Sequence, residues 1–122
     1  MTALREYPSH FRAAIAIRSA DEGGPKSGLF GFPESGHRNV PMELAGVDGL
    51  NTVQLRYRAG ALVPAGSTIE VECRLLAEDL FVGLIHPGTR FGIWDGRIIA
   101  DGTVMTVHHE NWTPSSSTHV RP

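Results

Sequence analysis

Six histidines, one cysteine and one glycine-rich stretch carrying a lysine and a serine are the parts of this 122-residue chain equipped for chemistry. The histidines are His10, His37, His86, His108, His109 and His119, and no two stand in a His-x-His or His-x-x-x-His spacing. A metal needs several ligands converging on one point. His108 and His109 are adjacent, so on a strand their side chains leave opposite faces and cannot share an ion. Cys73 is alone and can form neither an internal disulfide nor a cysteine-based zinc site. It alternates in phase with Val71 and Leu75, which predicts a buried thiol of raised pKa and little reactivity. The stretch Glu22-Gly23-Gly24-Pro25-Lys26-Ser27 superficially resembles a phosphate loop. Such a loop offers backbone amides between a strand and a helix. Here Pro25 has no amide to offer, and no helical pattern follows. No Gly-x-Ser-x-Gly elbow occurs either. The expectation is a protein without catalytic residues, metal or cofactor.

Charge points the same way. Eleven basic residues face thirteen acidic ones, for a net charge of -2. Ten of the basic residues are arginine and one is Lys26, and arginine suits planar recognition of carboxylate or phosphate. Residues 1–61 carry a net +1 and residues 62–122 a net -3, with Glu70, Glu72, Glu78, Asp79, Asp95 and Asp101 in the second half. A nucleic-acid binder accumulates positive charge, so this balance favours a protein partner. No apolar run approaches the roughly 18–20 residues of a membrane span. Arg12 and Arg18 interrupt the one small-apolar stretch near the start, against a signal peptide. The expected setting is the cytoplasm.

The elements that must position these residues read as β. Phe11, Ala13, Ile15 and Ile17 alternate with more polar or smaller neighbours, and Ile69, Val71, Cys73 and Leu75 alternate with Thr68, Glu70, Glu72 and Arg74. Val53, Leu55 and Tyr57 repeat the pattern within 52–58. A period of two places one set on each face of a sheet. Arg90–Trp94 and Arg97–Val107 are two more strands, joined at Asp95-Gly96, a dipeptide suited to a two-residue type I′ hairpin. Val63-Pro64-Ala65-Gly66 fits a type I turn with proline second. Leu75–Phe81 is read as strand and loop. Fourteen glycines and eight prolines supply the turns of many short strands. The chain thus predicts an all-β single domain, a small antiparallel barrel or sandwich, over residues 10–109. Residues 1–9 form a loose lead-in, and 110–122 a flexible polar tail.

The order of the pieces adds a resemblance. The strand Phe11–Ile17 runs into Ser19-Ala20-Asp21-Glu22-Gly23-Gly24; a glycine-rich loop leads to Gly36-His37-Arg38-Asn39-Val40; Val63-Pro64-Ala65-Gly66 follows; and Arg90-Phe91-Gly92-Ile93, Gly96-Arg97 and Gly102-Thr103-Val104 close the series. This resembles the C-terminal β-barrel, the third domain, of elongation factor Tu and related translational GTPases, over about residues 11–108. The family's GTP-binding domain and second barrel have no counterpart. The resemblance implies a freestanding six-stranded antiparallel barrel that does not bind GTP, and the lack of a long apolar run adds the expectation of no membrane partner.

In that family the barrel helps to bind the T arm of aminoacyl-tRNA and packs against the GTPase domain. The resemblance therefore implies a protein-binding patch at Asp21, Glu22, Gly23 and Gly24 with His37, Arg38 and Trp94. It implies an RNA-contacting set at Lys26, Arg90, Gly96 and Arg97, joined by Arg38. Trp94 and Trp112 would either cap the barrel or form an interaction patch near one end. The expected function is a non-enzymatic module that engages a protein by mimicry of elongation factor Tu, in translation or in toxin immunity. tRNA or RNA binding is the alternative, and a small-ligand barrel or enzyme is the third.

Overall fold

The computed structural model describes residues 8–112. The rest of the expected lead-in (1–7) and of the expected tail (113–122) lies outside them. Eight strands form among the described residues: β1 Phe11–Ile17, β2 Leu29–Gly31, β3 His37–Leu44, β4 Asn51–Arg56, β5 Leu62–Pro64, β6 Thr68–Leu75, β7 Arg90–Trp94 and β8 Ile98–Val107. Six of them close an antiparallel barrel in the order β1-β6-β4-β3-β7-β8, and β2 pairs with β5 in a separate ribbon. Closure removes the exposed edges that an open sheet would present.

The period-two pattern explains the barrel directly. In β1, Phe11, Ala13, Ile15 and Ile17 point inward and are buried, and in β6 Val71, Cys73 and Leu75 do the same. They meet Met42, Val53, Leu55, Phe91, Ile93 and Val104 in one core. Each such large side chain contributes about 1.5–3 kcal/mol on leaving water. The outward residues pair by charge across the seams: Arg12 reaches Glu70 and Glu72, and Arg18 forks onto Asp101.

Four expectations about strands and turns need correction here. β3 has no counterpart among the segments expected to be strands, because Pro41 reads as a strand breaker inside its alternation. Val40, Met42 and Leu44 are buried all the same. The β3–β7 ladder runs from Met42 to Leu44, so Pro41 lies outside that run of hydrogen bonds. β4 ends at Arg56 rather than 58, and Gln54 on its outer side is buried. The β7–β8 hairpin has three connecting residues, not two. Trp94 pairs with Ile98 after a register shift, and the Asp95 amide donates to the Arg97 carbonyl. The turn after β5 is displaced by one residue. Ser67 donates to the Pro64 carbonyl, which puts Gly66, at φ 90°, third in the turn. That positive φ is what glycine supplies there.

Two further pieces close the barrel ends. The ribbon β2–β5 seats Phe30 and Val63, followed by Phe32, over the end that carries the β7–β8 hairpin; Phe30 and Phe32 meet edge to face at 5.5 Å. At the other end, β6 leads into a 3₁₀ turn at Glu78–Phe81, where strand and loop were expected. Phe81 and Ile85 plug that end from a segment whose outer side exposes Leu80, Val82 and Leu84. The parts of the lead-in and tail that are described are fixed here too. Arg74 donates to the Pro8 carbonyl, Asn111 to the Ser9 carbonyl, and Trp112 stacks on His10 at 4.6 Å. Among the described residues no helix is long and apolar enough to cross a membrane.

Candidate functional site

A cleft of about 640 Å³ opens at the hairpin end. Three pieces of chain far apart in sequence build it: the Pro25–Ser27 loop with β2, Arg38 near the start of β3, and the Asp95–Arg97 hairpin with Ile99. Its lining carries Lys26, Arg38 and Arg97 against one carboxylate, Asp95.

Local structure fixes the two arginines. After β1, Ser19 and Glu22 close a 3₁₀ turn at Ala20–Glu22, in which the Glu22 carboxylate accepts from the Ser19 amide and hydroxyl. The next residue, Gly23, has φ 95°, and Gly24 turns the chain back against Arg18. A Cβ on Gly24 would stand 1.8 Å from the Arg18 carbonyl oxygen, so only glycine fits. The carbonyls of this pair hold Arg97: its Nε donates to Gly23 O at 2.7 Å and its Nη2 to Gly24 O at 2.8 Å. Arg38 is held differently. Its Nη1 donates to Gly31 O at 2.8 Å, and its guanidinium lies 4.0 Å over the Phe30 ring. Burial makes the charged form of Arg38 costlier than in water, and Asp95 partly offsets this. No carboxylate forms an ion pair with Arg38 among the described residues.

The expected site residues divide. Lys26, Arg38, Gly96 and Arg97 converge on the cleft. Gly23 and Gly24 stand behind it as the acceptors of Arg97, while Asp21 and Glu22 are exposed on the turn just before them. His37 and Trp94 are half-buried and outside the cleft lining; His37 is adjacent to Arg38 on a strand, so it takes the other face. Arg90 is elsewhere, in a second concavity of about 540 Å³ with Arg18, Asp101, Glu43 and Asp48. Charges of both signs meet there, and the Arg18 fork holds the Asp101 carboxyl below its usual range. Trp94 and Trp112 lie at opposite barrel ends and form no joint patch.

Sequence reasoning missed Asp95 as the carboxylate facing Arg38, and Phe30 as its platform. The apolar run Leu29-Phe30-Gly31-Phe32 was the available signal for a short strand.

Burial places Cys73 where expected. It is fully enclosed, and burial pushes its thiol far above the ordinary range. His108 binds the Glu72 carboxylate at 2.9 Å, and His10 binds Glu78 at 2.6 Å. No group of three metal-binding side chains gathers among the described residues.

The charge split between the two halves of the sequence does not survive folding. Glu70, Glu72 and Asp101 from the second half are paired with Arg12 and Arg18 from the first. Lys26 and Arg38 from the first half join Arg97 from the second. The molecule is close to neutral in sum, yet one cleft is cationic. No protein-family model matches the chain, and no curated protein matches it in sequence.

Proposed function

We propose that this barrel is a non-enzymatic binding module whose hairpin-end cleft takes an anionic segment of a protein partner. One observation carries the reading: Lys26, Arg38 and Arg97, up to 71 positions apart, converge on one cleft that holds a single carboxylate. A cation left unpaired and partly desolvated, as Arg38 is, gains more from an incoming anion than an exposed one does. The mixed surroundings favour a protein over a nucleic acid. Asp21 and Glu22 are exposed beside the cleft and would repel a phosphate backbone, whereas a protein can set its own cations against them. Phe30 lies beneath Arg38 and is buried, so it offers no face to a nucleobase.

The likeness to the third domain of elongation factor Tu belongs to this proposal. Its support is the six-stranded closed barrel and the position of the Asp21–Gly24 and Gly96-Arg97 pieces beside and in the cleft. On that reading the partner is a protein that normally binds elongation factor Tu, and the setting is cytoplasmic.

Affinity capture with the purified barrel tests this. Arg38→Ala and Lys26→Ala should each lose the captured protein, and Arg58→Ala, outside the cleft, should keep it. Retention by both cleft variants would end the proposal. RNA binding is a second reading, favoured by the same three cations. It requires capture to depend on RNA and affinity to fall with salt at a log–log slope of about -2 to -3.

A further inference from the structure

Taking the cleft as the partner site, we infer that the group it reads is a phosphoryl ester on a side chain of the protein partner. The first argument is charge. Lys26, Arg38 and Arg97 against Asp95 leave the lining two positive charges in excess, which balances one phosphoryl dianion. A lone carboxylate would leave one cation unmatched.

The second argument is the donor inventory. Arg97 spends its Nε hydrogen and one of two on Nη2 on Gly23 and Gly24, which leaves three N–H donors on its two Nη atoms. Arg38 spends one Nη1 hydrogen on Gly31, which leaves four, Nε and Nη2 among them. Lys26 brings an ammonium with no protein partner among the described residues. Three cationic donors from three chain segments match the three terminal oxygens of a phosphoryl ester. The carbonyls of Gly23, Gly24 and Gly31 are already occupied by the arginines.

The third argument is rigidity. Arg97 is held by two hydrogen bonds, and Arg38 by one bond and by the Phe30 ring below it. Their orientation is set before the ligand arrives, so less side-chain freedom is lost on binding. Pro25, Leu29 and Ile99 give the cleft apolar wall for the stem that carries the phosphoryl group. The three cations line one pocket. A nucleic acid strand would also bring further phosphates toward Asp21 and Glu22.

The test uses the ¹⁵N-labelled barrel and two end-blocked tripeptides, Gly-phosphoserine-Gly and Gly-Glu-Gly. The expected result is saturable shifts at Gly23–Ser27, Asp95–Arg97 and the Arg38 and Arg97 side chains. Phosphoserine should bind at least about tenfold more tightly than glutamate at pH 7.5. Its advantage should shrink as the phosphate takes up a proton near pH 6. Arg38→Lys keeps the charge but loses the fork and should weaken binding severalfold; Asp95→Asn removes the opposing charge and should strengthen it. Equal affinity for the two peptides, or weaker binding to Asp95→Asn, overturns the inference. Captured partner separates this failure from that of the broader reading. Capture that survives phosphatase but is lost in Lys26→Ala removes the phosphoryl inference and leaves the protein-binding cleft. Capture abolished by ribonuclease alone removes both in favour of RNA.

Discussion

Replacing His10 by leucine should destabilise the barrel by about 2–4 kcal/mol at pH 7.5, and by less in acid. His10 is fully buried just before β1. Its Nδ1 accepts from the Leu75 amide at 2.9 Å, so the proton of the neutral ring sits on Nε2, which donates to Glu78 at 2.6 Å. Leucine keeps much of the bulk and removes both nitrogens. The Leu75 amide is then buried without an acceptor, which costs about 1–3 kcal/mol. Loss of the stack on Trp112 adds about 0.5–1.5 kcal/mol. Glu78 still has Arg74 at 3.9 Å, so its charge is not stranded. The pH dependence gives the sharper test. Burial, then the charge of Arg74, lowers the folded pKa of His10 below 6.5, against the opposing pull of Glu78. Below pH 6.5 the unfolded chain therefore binds a proton that the folded chain resists, and stability is lost as the pH falls. The loss reaches at most about 1.4 kcal/mol at pH 5.5. The leucine variant has no such proton to bind. Urea denaturation of both proteins at pH 7.5 and 5.5 should show the gap between them narrowing. A gap of the same size at both values would refute the neutral, amide-capped histidine.

A second acid limb should lie lower. Burial opposes ionisation of Glu72, but hydrogen bonds from Ser9, His108 and Arg12 outweigh it and hold its carboxyl below 4.5. Its contribution to stability is therefore full at neutral pH and is lost as the pH falls below about 4.5; Glu72→Gln should flatten that limb in the same denaturation series. Gly24→Ala drives a methyl into the Arg18 carbonyl, and a melting temperature lowered by several degrees, with loss of phosphopeptide binding, is expected. Arg97→Ala releases the Gly23-Gly24 turn, so hydrogen exchange at the Gly23 and Gly24 amides should speed up about tenfold while the β1–β6 ladder is unchanged. Leu80→Ser with Val82→Ser should reduce binding of an apolar dye without lowering the melting temperature, because both side chains face solvent.

The barrel was more legible than its cleft for a physical reason. Alternation in β1 and β6 is a local property, written in consecutive residues such as Phe11-Arg12-Ala13 and Glu70-Val71-Glu72. β3 carries the same signal at Val40, Met42 and Leu44, but Pro41 reads as a strand breaker until the ladder shows it outside the β7 pairing. The three-residue hairpin depends on a register shift after Ile93, which Asp95-Gly96 alone cannot reveal. The cleft is a non-local object. Gly96 and Arg97 could be singled out from the sequence, yet that Lys26 and Arg38 meet them follows only from the seating of β2 against the barrel end. Summing charge over each half misled for the same reason, since the acids of β6 and β8 are neutralised by Arg12 of β1 and by Arg18 just after it.

The seating of β1 between β6 and β8 also sets a timetable. Phe11 pairs with Cys73 on one side and Val107 on the other, 62 and 96 positions later. At roughly 5–20 residues per second, a ribosome needs about 5–20 s to supply the second neighbour. Until then Phe11 has no partner on its β8 side, and the β1–β8 seam that closes the ring is incomplete. The barrel's N-terminal strand is therefore among the last to be finished, and its apolar face waits longest for cover.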